Sequence, residues 1–207
     1  LLGILTVVWL LIITEAKAQS QVKIGNQVWM AENLNVSTFR NGDPILEVKT
    51  LEEWVQAGND GKPAWCYYNN DPKNGDIYGK IYNWFAVNDP RGLAPKGWHI
   101  PNYAEWTELS NFLGGQVFAG KKMKSTNGWR DNGNGNNSSG FSGLPGGFRF
   151  KLGFIGIGDF GFWWSSSESM SNSINATSFS LSFKEDLGFK GGNNVKTDGM
   201  SVRCVRD

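Results

Sequence analysis

The sequence predicts an α+β fold in a single domain, on three observations. Strand signals stand near both ends of the chain, at Val22 and Ile24 and again at Val202 and Cys204. Capped, helix-periodic segments fall in the first half. The second half is rich in turn residues, and 27 glycines among 207 residues favour tight turns over long helices.

Residues 1–13 are almost wholly apolar, a run shorter than the roughly 20 residues of a membrane span. Ala16-Lys17-Ala18 follows. An apolar stretch ahead of a small-x-small triplet is the pattern of a secretion signal, so residues 1–18 are expected to be removed and the mature domain to begin at Gln19. No cysteine follows the triplet, so a lipid anchor is not expected. Cleavage would remove one acid, Glu15, and one base, Lys17, leaving the net charge at +1. A near-neutral chain has no electrostatic case for binding nucleic acid or an anionic membrane, and no integral span is expected after cleavage. Ten Trp, thirteen Phe and five Tyr supply a sizeable core for residues 19–207.

The first element is a hairpin. Val22 and Ile24 lie on one arm, Val28 and Met30 on the other, and Gly25-Asn26 can take positive φ at the turn. Thr50 with Glu53 is a capping box that opens a short helix through Ala57, stopped by Gly58. Ile81, Tyr82, Phe85 and Ala86 recur at helical spacing and predict a helix over 78–87. The clearest helix starts at Asn102, with Glu105 at its third position, and presents Trp106, Leu109, Phe112 and Leu113 to the core before Gly114-Gly115 ends it.

From Asn127 to Gly147 the chain is dominated by Asn, Gly and Ser and reads as a long loop, the first place to seek a binding surface. Beyond it, Phe179, Leu181 and Phe183 alternate with Ser178, Ser180 and Ser182, so the serines are expected to face outward. The run 200–205 alternates similarly, with Val202 and Cys204 facing inward. Cys66 and Cys204 are the two cysteines, and in an exported chain a disulfide between them is expected, with two buried thiols as the alternative.

Seven blocks in order carry a family likeness: VKIGNQVWMAENLN (22–35), WCYYNNDP (65–72), YGKIYNWFAV (78–87), LAPKGWHIPNYAEWTEL (93–109), GFSGLPGGFR (140–149), WWSSSE (163–168) and SVRCVRD (201–207). Together they resemble the Fibrobacter succinogenes major paralogous domain family. The resemblance implies a C-type-lectin-like fold, distantly similar to the formylglycine-generating enzyme domain. In that fold two helices pack on a small, twisted, mostly antiparallel sheet, and the N- and C-terminal strands pair. It also implies an exported protein of Bacteroidetes or Fibrobacteres. The Asn-Gly run at 132–137 and the glycines from Gly153 to Gly161 depart most from typical members.

Chemistry-bearing groups are sparse. His99, the lone histidine, has no second His or Cys near it in sequence and reads as an anchor for the start of the main helix. No nucleophile elbow and no P-loop is present, and Gly153, Gly156, Gly158 and Gly161 read as turns and sheet kinks. Formylglycine-generating enzymes use a close pair of reactive cysteines to hold copper, and here one disulfide would account for both thiols, so that activity does not carry over. Ile100-Pro101-Asn102 lacks the carboxylate that a calcium-dependent lectin motif supplies. Glu52-Glu53, Glu185-Asp186 and the acids from Asp71 to Asp76 read as solvated surface. No metal and no other cofactor is therefore expected.

One constellation points to recognition. Trp129, followed by Arg130, Asp131 and Asn132, combines an aromatic platform with polar groups that could stack on a sugar and bond its hydroxyls; the alternative is that Trp129 packs beneath the loop. The expected function is a secreted or cell-surface, non-catalytic recognition or adhesion module for a glycan or a surface protein. A catalyst of the formylglycine-generating type and a structural envelope component are the alternatives.

Overall fold

A computed structural model describes residues 20–184 and 190–207. The expected signal, residues 1–18, and the Glu185-Asp186 pair lie outside them. In chain order the elements are β1 (Gln21–Ile24), β2 (Gln27–Met30), β3 (Leu46–Glu47), α1 (Leu51–Asn59), β4 (Ala64–Cys66), α2 (Pro72–Tyr78), β5 (Ile81–Asn83), α3 (Trp84–Val87) and β6 (Trp98–His99). Then come α4 (Tyr103–Phe112), α5 (Gln116–Met123), β7 (Gly146–Phe150), β8 (Gly153–Ile157), β9 (Phe160–Glu168), β10 (Asn175–Ser182), β11 (Lys190–Val195), β12 (Gly199–Met200) and β13 (Val205–Arg206). The architecture is α+β.

Among the described residues two open sheets form. The small one runs β1-β2-β13-β6, and the large one β11-β10-β9-β7-β12-β5-β4-β3, with β8 paired to β7. Strands from the two ends of the domain pair directly, Val205 opposite Trp29. Alternation along the strands feeds two clusters of side chains. Trp29, Trp163 and Val205 enter one with Trp106, Phe141 and Phe179, while their neighbours Met30, Trp164 and Cys204 enter the other with Tyr82 and Trp98. A third cluster gathers Trp54, Cys66, Tyr68 and Ile81.

Local signals set the helix starts. The Thr50 and Glu53 side chains cap each other's backbone at 3.1 Å, and α1 buries Trp54 and Ala57. Asn102 and Glu105 do the same for α4, at 3.0 and 2.8 Å. The first hairpin turns at Gly25, whose φ is +62°.

Several expectations need correction. Five helices, not two, are present among the described residues. The segment 78–87 is not one helix: α2 ends at Tyr78, and 81–83 are drawn into β5 between β4 and β12. All three residues of β5 are buried, so no alternation betrayed the strand. Asn83 then caps α3 by accepting from the Ala86 N–H. Phe112 is 63% exposed, because Trp106, Leu109 and Leu113 already define the buried stripe of α4 and position 112 falls beside it. Its ring covers Gly25 instead, where a Cβ would lie 2.9 Å from it. Ser178 is buried rather than outward, its hydroxyl donating to Asn194 of β11 at 2.6 Å.

The terminal run is two short strands in different sheets rather than one. Between them the chain crosses over, Leu34 N–H donating to Val202 O at 2.8 Å and Met30 N–H to Cys204 O at 3.0 Å. The Cys66–Cys204 disulfide is absent: both are free, buried thiols, one in the Trp54 cluster and the other with Tyr82 and Trp98. Among the described residues no helix is long and apolar enough to cross a membrane.

A polar cleft between the long loop and the first strands

A cleft of about 520 Å³ opens where the end of β2 meets α2 and the long loop. One wall is the segment after β2, with Glu32, Asn33 and Asn35; another is the end of α2, with Asp76 and Ile77; the third is the loop, with Thr126, Asn127, Asn137 and Ser142. Arg203 lies at its floor.

The walls are fixed by side-chain amides. Asn33 Nδ2 donates to Tyr78 O at 2.8 Å and Asn35 Nδ2 to Gly75 O at 3.3 Å, tying the first wall to the second. Lys80, lying 4.3 Å over the Trp65 ring, donates to Asn35 Oδ1 at 2.9 Å. The loop is bonded to α5 through its backbone: Gly143 N–H donates to Met123 O at 2.8 Å, and Asn136 N–H to Lys121 O at 2.9 Å. Within it, Asn137 and Ser142 exchange two hydrogen bonds of 2.8 Å. Gly135 fits against α5 because it has no side chain; a Cβ there would lie 2.4 Å from Lys124 O.

The floor is the most constrained part. Asn33 Oδ1 accepts from Trp163 Nε1 at 2.8 Å and from Arg203 Nε and Nη2 at 3.1 and 2.6 Å. Arg203 Nη1 donates to Phe141 O, and the guanidinium lies 4.3 Å over the Phe141 ring. Only 1% of Arg203 is exposed, and burial lowers its pKa to about 9, against the raising influence of Glu32, so it carries its charge at neutral pH.

The expected recognition residues fall elsewhere. Trp129 is buried with Trp106 and Phe141, its indole N–H donating to Ser125 Oγ at 3.0 Å and reaching Gly143 O at 3.2 Å. It is a core residue, because the loop closes over it. Arg130 is exposed and pairs with Asp159 at 3.0 Å; Asp131 and Asn132 are exposed and adopt positive φ. None of the four lines the cleft. The loop itself does, through Asn127, Asn137 and Ser142. Sequence reasoning passed over Asn33 and Arg203. For Arg203 the one signal was a charged side chain placed between the inward-facing Val202 and Cys204; Asn33 gave none.

Residues 22–206 match the Fibrobacter succinogenes major domain. The chain belongs to that family. No curated protein and no solved structure matches it. The family blocks now have physical roles: Asn33 in the first and Arg203 in the last meet at the cleft floor, joined by Trp163 from WWSSSE. His99, in the fourth, lies outside the cleft. Its Nε2 sits 2.6 Å from Glu105 and its Nδ1 2.8 Å from Asp207, so it links the start of α4 to the end of β13. Among the described residues no three His, Cys, Asp or Glu side chains group so as to hold a metal ion.

Proposed function

We propose that this domain is an extracellular, non-catalytic recognition module that takes a glycan in the cleft above Arg203. The observation that carries the reading is the lining. Amides and hydroxyls of Asn35, Thr126, Asn127, Asn137 and Ser142 stand with the carboxylates of Glu32 and Asp76 around one concavity. Saccharide hydroxyls both donate and accept, and such a mixed set of fixed polar groups answers them. A protein-binding patch would instead place aromatic anchors at its centre. The paired end strands, β2 with β13, agree with a C-type-lectin-like architecture, and loops on a rigid scaffold are where such modules bind. Export rests on residues 1–13 and Ala16-Lys17-Ala18.

A glycan array probed with the protein tests the reading, followed by titration of the best ligand against Asn127→Ala and Asp76→Ala. Both side chains are exposed, so folding should hold while affinity drops about tenfold. Unchanged affinity in both variants would move the site elsewhere. Release of new reducing ends during the titration would instead make the Glu32 and Asp76 carboxylates a hydrolytic pair.

A further inference from the structure

We infer that the saccharide taken by this cleft is acidic, a uronic acid whose carboxylate sits on the floor against Arg203; the inference rests on the glycan reading above. A guanidinium has five N–H bonds. Nε and Nη2 both donate to Asn33 Oδ1, and Nη1 donates to Phe141 O. Among the described residues, one N–H bond on each terminal nitrogen has no acceptor.

The charge has no partner in direct contact, although Glu32 on the cleft wall acts on it from a distance. Among the described residues no carboxylate pairs with Arg203, and its partners are a neutral amide and a backbone carbonyl. A buried guanidinium whose hydrogen bonds go only to neutral groups is costly, and covering the cleft makes it more so unless the covering group is an anion. A carboxylate, like a phosphate, can accept from two N–H bonds of one guanidinium, and the rim decides between them. The guanidinium lies 4.3 Å over the Phe141 ring and is hydrogen-bonded to Asn33 and Phe141, so it is held in place before any ligand arrives.

The rim narrows the choice. Glu32 and Asp76 are exposed on two of the walls and repel a ligand carrying several negative charges, but they accept hydrogen bonds from hydroxyls. Asn127 adds an amide able to do both. One carboxylate surrounded by hydroxyls satisfies floor and rim together. A sulfated or phosphorylated chain, or an acidic peptide, brings repeated anionic charge to the two rim carboxylates.

Calorimetric titration of the wild-type protein with a panel of uronic-acid oligosaccharides, each beside its own methyl ester, tests this directly. Esterification removes the charge and keeps every hydroxyl. At least one acid should bind about tenfold or more tightly than its ester. Arg203→Lys should weaken that preference severalfold, because an ammonium keeps the charge but lacks the two-pronged geometry. If that variant does not fold, the acid and ester pair on the wild-type protein still decides the question, with Asn127→Ala locating the site. Ester binding equal to acid overturns the inference and leaves the glycan reading intact. Binding of neutral glycans only does the same. No binding by any uronic acid or any arrayed glycan overturns both.

Discussion

Replacing Trp129 with alanine is expected to lower stability by about 3–5 kcal/mol, the usual cost of emptying a buried Trp site, since its ring is 5% exposed and its N–H is bonded within the core. Thermal or denaturant melting reads this, and a stably folded variant would restore Trp129 as a surface platform. The sequence could not separate these outcomes, because an aromatic beside asparagines looks alike whether the loop lies open or folds over it. Cys66 and Cys204 make a second test at the same scale. Burial raises their pKa values to about 11 and 12, so both remain protonated thiols at neutral pH. The native protein should resist a thiol reagent, and unfolding should release two reactive groups. An intact mass two hydrogens short would contradict this. Pairing both cysteines was reasonable for an exported chain, but composition carries no information on which cluster each one enters.

At the scale of elements, α4 depends on pH through His99. Burial of the ring opposes its charge, but the hydrogen bonds to Glu105 and Asp207 and their two negative charges outweigh it, so the pKa is raised above 6.5. A raised folded pKa means the imidazolium is favoured by folding. Its stabilisation is complete below the unfolded value near 6.5 and is lost as pH climbs through the folded value. Melting temperature should therefore fall on passing from pH 6 into the mildly alkaline range, and His99→Gln should flatten that slope. A wild-type slope unchanged by the substitution would assign the pH dependence to other groups. The helix start itself was legible: Asn102 and Glu105 announce a capping box, and His99 was read as its anchor. Its two carboxylate partners were not legible as a group, since Asp207 comes from the far end of the chain.

The long loop was also legible as an element, by its Asn, Gly and Ser content, while its binding face was not. Gly135 shows why composition matters there. A methyl group at this position would meet the Lys124 and Lys121 carbonyls at 2.4 and 2.5 Å, and backbone cannot give way cheaply. Gly135→Ala is expected to cost about 1–3 kcal/mol in denaturant melts and to weaken ligand binding, because the loop wall shifts. A neutral effect on both would mean that the loop does not depend on its seat against α5.

For the whole molecule, what the sequence conveyed was the class and the ends: strands at both termini, capped helices early, turns late. Pairing across the chain was harder to see. β5 and β12 are three and two residues long, buried among neighbours, and too short to show any period. The same long-range pairing builds the cleft, because β13 brings the segment carrying Arg203 against the segment after β2 that carries Asn33. That floor exists only in the folded whole. Hydrogen–deuterium exchange with and without a saturating glycan ligand tests the central claim most directly. The account predicts slowed exchange in three separate segments, 31–35, 75–79 and 125–144, and no change along α4. Protection centred instead on the shallow groove of Tyr103, Glu108 and Phe112 along α4 would contradict it.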